Sequence, residues 1–130
     1  MEVFTDKMIG YMAGGAIIGD DANIWNATPG FAVSSSELQS FVDIFKPNSE
    51  YIYKGISFHG EVYSVSSVFD GIAKAKSNQS GLIIAKCPTC LIIGYYDDLS
   101  TMKTCNQAVE KLQELITNNT NEKGIIKLDY

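Results

Sequence analysis

The chain has 130 residues, of which 45% are hydrophobic and 19% charged, with a formal net charge of −5 and no arginine. That length is one domain able to bury roughly two thirds of its unfolded surface without staples. An acidic chain lacking arginine is excluded as a general nucleic-acid binder, because neutralising phosphates requires clustered cations.

No apolar run approaches the roughly 18 residues that span a bilayer. The opening MEVFTDKM carries acids where a signal or transit peptide has an apolar or basic segment. Three cysteines, an odd number, without an export signal point to reduced thiols and a cytoplasmic protein. Formal glycosylation sequons at Asn26, Asn78 and Asn118 are then chance matches.

In chain order, Phe4, Met8 and Met12 are spaced four apart and predict a helix over 2–12, ended by Gly14-Gly15. Ala16-Ile17-Ile18 and Ile24-Trp25 read as short strands joined by the polar turn Asp20-Asp21-Ala22-Asn23, with Pro29-Gly30 as the next break. Ser34 and Glu37 form a capping box ahead of Leu38, Phe41, Val42 and Phe45 at helical spacing, and Pro47 closes that helix. From Tyr51 to Ala75 the period becomes two, with Ile56, Phe58, Val62, Tyr63, Val65 and Val68 interrupted at His59-Gly60 and Asp70-Gly71.

The stretch Gly81 to Tyr96 holds two β-branched apolar runs, Leu82 to Ala85 and Leu91 to Ile93, around Cys87-Pro88-Thr89-Cys90. Each run is too short for a helix, so they predict a hairpin in the middle of a sheet, apolar on both faces and in need of covering helices. A last helix follows the Asp97 to Thr101 turn, with Cys105, Ala108, Val109, Leu112, Leu115 and Ile116 as its apolar stripe, and ends at Asn118-Asn119. Strands grouped between terminal helices predict an α+β fold with a central antiparallel sheet, not a parallel βαβ stack.

Few residues point to catalysis. Cys87-x-x-Cys90 fits a dithiol redox site or half of a zinc site, yet it bridges two strands and does not open a helix. A helix N-terminus is where a redox cysteine gains its low pKa. Zinc would need Cys105 and His59 as further ligands. The bland alternative, a turn with two small semi-apolar residues, is favoured. His59 has no nucleophile at a catalytic spacing, and the adjacent pairs Asp20-Asp21 and Asp97-Asp98 read as solvated turn residues. Gly14 and Gly19 match the outer positions of a phosphate loop, but Ala16 holds the middle one. What remains is surface: Trp25 with Phe4 as an aromatic shelf for a proline-rich peptide, and Lys74, Lys76 and Lys86 as a cationic cluster for an acidic partner or lipid head groups. Core packing and a solvated face are the plain alternatives for these two groups.

Two blocks resemble the profilins, a family of small actin-monomer-binding proteins. Gly15-Ala16-Ile17-Ile18-Gly19-Asp20-Asp21-Ala22-Asn23-Ile24-Trp25 is similar to the family's AAIIG-x-D-G-x-x-W. Lys86 to Asp98 followed by Cys105-Asn106-Gln107-Ala108-Val109-Glu110-Lys111-Leu112 is similar to its K-x-x-x-x-L-I-I-G-x-Y-D-E and C-N-x-x-V-E-x-L. The resemblance implies a profilin-like domain over 1–116, with the N- and C-terminal helices on one face of the sheet and a further helix on the other, and a C-terminal extension over 117–130 that is flexible or docked.

It also implies a cytoplasmic, cytoskeleton-associated monomer with no enzymatic activity and no cofactor, which binds monomeric actin and regulates filament assembly. The actin contacts it implies are Tyr53, Val65, Lys74, Lys86 and Lys103, with Tyr53 and Val65 on neighbouring strands. Val62 and Ser67 stand where many members carry bases. The proline-peptide contacts it implies are Met1, Phe4, Trp25 and Leu115, of which Met1 replaces a Trp, Phe4 a Tyr, and Leu115 a residue that is Tyr in many members. Each lost stacking partner costs about 1 kcal/mol, so proline-peptide binding is expected to be roughly tenfold to a hundredfold weaker. Two alternatives stand beside this expectation: a divergent profilin acting mainly on anionic phosphoinositide lipids or another cytoskeletal partner, and a thiol-redox or zinc protein built on Cys87 and Cys90.

Overall fold

A computed structural model describes residues 6–126. Its strands are β1 (Gly14–Gly19), β2 (Ile24–Ala27), β3 (Ile56–Phe58), β4 (Glu61–Phe69), β5 (Ile72–Ser77), β6 (Ser80–Lys86) and β7 (Cys90–Tyr96). The helices are α1 (Ser35–Asp43), α2 (Tyr51–Lys54) and α3 (Met102–Asn118), the last preceded by a 3-10 turn at Leu99–Thr101. All seven strands form one antiparallel sheet in the order β2-β1-β7-β6-β5-β4-β3.

The hairpin expected at the centre is there, as β6 and β7, and period-two alternation divides its side chains between two cores. Ile17, Ile83, Ala85 and Ile92 meet Cys105, Val109, Leu112 and Ile116 of α3 on one face. Ile18, Leu82, Ile84 and Ile93 meet Leu38 and Phe41 of α1 on the other. Successive residues of a buried strand face opposite ways, so an unbroken apolar run serves both layers. Close approach of α3 depends on Gly94, where a Cβ would lie 2.5 Å from Val109 Cγ2.

Start signals in the sequence act as expected. Ser34 Oγ accepts from Glu37 N–H at 3.2 Å and Glu37 Oε1 accepts from Ser34 N–H at 2.7 Å, the reciprocal capping box. Glu37 Oε2 also accepts from His59 N–H at 2.8 Å, tying α1 to the β3–β4 turn.

Two expectations need correction. Tyr51 to Lys54 is not strand but the single helical turn α2, supported by Lys54 and Glu50 pairing at 3.0 Å and stopped by Gly55 at φ +80°. An alternating apolar pattern does not distinguish one such turn from a strand end. The helix expected over 2–12 lies partly outside the described residues. From Lys7 onward the chain turns, with Gly10 at φ +89°, and Met8 is buried against the α3-side core with Met12 packed on it. The spacing of those methionines marked a buried face correctly but not its helical form.

Candidate functional site

α3 covers β7 and β6 and leaves the same face of β5 and β4 open. Register sets what is displayed there. Lys74 pairs with Ile83, whose side chain lies in the α3-side core, so Lys74 projects from the α3 side. Its partners across β4–β5 are Ser67 with Lys74, Ser64 with Lys76 and Phe69 with Ile72, and directly opposite residues share a face. Val62 of β4 is exposed, as is Phe69, which is 80% accessible at the end of the strand. At the end of the sheet that holds Lys76, the chain leaves β7 and enters α3, and Lys103 is exposed in the first turn of that helix. The result is a strip of sheet with Lys74 and Lys76 as its cations and Val62 and Phe69 as its apolar points, and with Lys103 at the start of α3, at the end nearest Lys76.

The expected actin residues do not all fall on this strip. Lys74 and Lys103 do. Lys86 pairs with Leu91 and therefore projects toward the α1 side, at the far end of β6. Its carbonyl accepts from Gln113 Nε2 of α3 at 3.0 Å, ten residues and roughly 15 Å of helix away from Lys103. Lys86 borders one groove with Glu110 and Glu114 and another with Asp20, Lys46 and Phe45. Val65 is half-buried in the α1-side core. Tyr53 is 90% exposed, but on α2 instead of a strand.

Phe69 is the residue that simple alternation misses. Counting by two from the inward Val65 places Phe69 inward as well. The register shifts between Val65 and Ser67, the extra residue Ser66 donating its Oγ–H to the Lys74 carbonyl at 3.1 Å, and this bulge turns Phe69 outward.

Of the proline-peptide candidates, Met1 and Phe4 lie outside the described residues. Trp25 is 40% exposed on the edge strand β2, and its indole lies across Gly19, where a Cβ would be 2.7 Å from Nε1. Leu115 is half-buried and lines a groove of about 550 Å³ between the N-terminal segment and α3, together with Lys7, Tyr11, Ala108, Lys111 and Leu112. Trp25 is not among that groove's lining residues. Tyr11, 51% exposed, supplies an aromatic that the sequence did not single out, since the helix expected there gave it no special place.

The turn acids cap their own loops. Asp21 accepts from Asn23 and Asp98 from Ser100, and these hydrogen bonds hold both carboxyls below the ordinary Asp range. His59 stacks on Phe58 at a ring separation of 3.8 Å, with Nε2 2.8 Å from the Ala32 carbonyl. The cysteine turn lies instead in the α3-side core. Among the described residues no group of three His, Cys, Asp or Glu is placed to hold a metal ion. No described helix is long and apolar enough to cross a membrane.

The family pattern described as Profilin matches residues 4–121. Profilin-A of Physarum polycephalum is 27% identical over 116 residues, which is 88% of this chain and 92% of that one. The crystal structure of Acanthamoeba castellanii profilin II superposes with a TM-score of 0.81 at 27% identity, over 89% of this chain and 95% of that one. A complex described as LokiProfilin2 with rabbit actin shares the fold, with a TM-score of 0.65 at 18% identity over 88% of this chain and 96% of that one.

Proposed function

The chain belongs to the profilin family, and on that premise we propose that it binds monomeric actin one to one through the open strip of β4, β5 and α3. Lys74 and Lys103 supply the charged contacts and Tyr53 a flanking contact from α2, while Lys86, on the opposite face of the sheet, lies outside the interface. Val65 acts from beneath by holding the bulge that presents Ser67 and Phe69. The observation that carries this assignment is the strip itself: two lysines and two exposed apolar side chains on the sheet face that α3 leaves uncovered, with Lys103 in the first turn of α3, in a chain with net charge −5. Clustered cations on an acidic protein favour an acidic partner through complementary potential. The solved profilin–actin complex of the same fold supports the choice of actin as that partner.

Occupying one end of the monomer blocks some additions to a filament and permits others, so the function is binding, without catalysis. Proline-rich peptides bind weakly, because Met1 and Leu115 stand where many profilins carry Trp and Tyr, which leaves fewer rings to stack on. Assembly of pyrene-labelled actin tests the assignment. Wild type slows spontaneous nucleation, and Lys74→Glu does so less. Absence of any inhibition by wild type would contradict it.

A further inference from the structure

The Cys87-Pro88-Thr89-Cys90 turn takes no part in the actin face, yet its geometry suits a chemistry of its own. Lys86 pairs with Leu91, so Cys87 and Cys90 are the next residues across the hairpin, and Cys87 N–H donates to the Cys90 carbonyl at 2.8 Å. Directly opposite residues of an antiparallel pair have Cα atoms about 4.5–5.5 Å apart, within the range of about 4.4–6.8 Å that a disulfide requires. The two side chains share a face and lie in the same core cluster. Neither sulfur is open to solvent.

The last described segment, 119–126, packs on this turn. Thr89 donates its Oγ1–H to the Gly124 carbonyl at 3.3 Å, Thr120 bridges to Ile126, and Ile126 packs on the core that contains both cysteines. The segment holds its own shape through Asn121, whose Oδ1 accepts from the N–H groups of Lys123 and Ile125. Asn121, Glu122, Lys123 and Ile125 are exposed and none of the segment's residues is fully buried, so the segment can lift without opening the sheet.

We propose that Cys87 and Cys90 are a dithiol that hydrogen peroxide converts to an intramolecular disulfide once the 119–126 segment lifts. Cys87 is the attacking group, because it borders the groove lined by Pro88, Glu114 and Thr117 whereas Cys90 is fully buried. The hydrogen bond from the Cys90 thiol, helped by Thr117 and against the effect of burial, draws the Cys87 pKa below the ordinary thiol value, while Cys90 is pushed up. The Cys87 thiolate attacks one peroxide oxygen, the O–O bond breaks, and hydroxide leaves to take up the proton that Cys87 released. The Cys90 sulfur then attacks the sulfenic sulfur of Cys87, the S–O bond breaks, and the hydroxyl leaves as water with the Cys90 proton. Two thiols are oxidised to one disulfide and one peroxide is reduced to two waters.

Peroxide treatment of the intact native chain, followed by alkylation after denaturation and mass measurement, tests this without actin. The expected product is a monomer lighter by two hydrogens that takes one alkyl group, on Cys105, and takes three after reduction. Cys105 serves as an internal reference, since burial between α3 and the sheet raises its pKa to about 12. Cys90→Ser should stop at a single oxygen adduct on Cys87. Thr89→Val, which removes the hydrogen bond to Gly124, should speed oxidation several-fold and leave Cys105 unchanged. Three thiols oxidised at one rate that follows global unfolding, a disulfide between two chains, or three thiols still alkylated after peroxide would overturn the proposal. An unchanged rate in Thr89→Val would overturn the role of that segment.

Discussion

Replacing Glu37 by Gln tests how the α1 side of the sheet is held. One carboxylate accepts two backbone N–H groups, Oε1 from Ser34 at 2.7 Å and Oε2 from His59 at 2.8 Å, while the Glu37 backbone N–H donates to Ser34 Oγ. Gln keeps one acceptor and aims an NH₂ group at the other donor. A hydrogen bond to a charged group contributes about 1.5–3 kcal/mol, so the loss at neutral pH is about 2 kcal/mol, reduced somewhat because Glu37 is partly solvated. The effect carries a pH signature. Burial alone would raise the pKa of Glu37, but the N–H groups of Ser34 and His59 outweigh it and hold the carboxyl below its ordinary value of 4.5. A lowered folded-state pKa gives stability that is fully present above 4.5 and lost as pH falls through the folded value. Urea unfolding of wild type and Glu37→Gln should therefore show a gap at neutral pH that closes in acid, as wild type protonates and loses the same acceptor. Equal gaps at both pH values, or none at neutral pH, would refute the staple.

Further outcomes follow from the same contacts. Gly94→Ala sets a methyl 2.5 Å from Val109 and 3.1 Å from Cys105 Sγ, so α3 has to move out. Overpacking of this kind costs about 1–3 kcal/mol, read as a lower midpoint in thermal unfolding. Phe69→Ser removes an 80% exposed ring, so stability should stay within about 0.5 kcal/mol of wild type while actin affinity falls. Titration with a proline-rich peptide, followed by Trp25 fluorescence, should give weak binding, and strong micromolar binding would refute the discounted shelf.

The fold was legible where one physical requirement dominated. The runs Leu82 to Ala85 and Leu91 to Ile93 had to lie at the sheet centre, because apolarity on both strand faces needs two covering layers. Ser34 and Glu37 announced α1 through hydrogen-bonding chemistry. The α3 stripe was plain from spacing. The site was less legible, since side-chain direction depends on register and bulges set by the paired strand. Lys74 and Lys86 look equivalent as lysines on neighbouring strands, yet pairing with Ile83 and with Leu91 sends them to opposite faces. Phe69 is turned outward by an extra residue that no local pattern marks. Tyr53 left the strand for α2 because a helical turn with a Glu50–Lys54 pair satisfies its backbone as well as a strand would. The docking of 119–126 depends on Thr89, thirty-five residues from its partner Gly124.

Hydrogen exchange of the chain alone and with excess monomeric actin tests the central assignment most directly. Slowed exchange should appear in β4, β5 and the first turns of α3, around Ser67, Lys74 and Lys103, and be lost in Lys74→Glu. That reversal turns an attraction into a repulsion worth about 1–2 kcal/mol, a five- to thirtyfold weaker complex. Protection confined to the α1 face, or no protection at any actin concentration, would contradict the account.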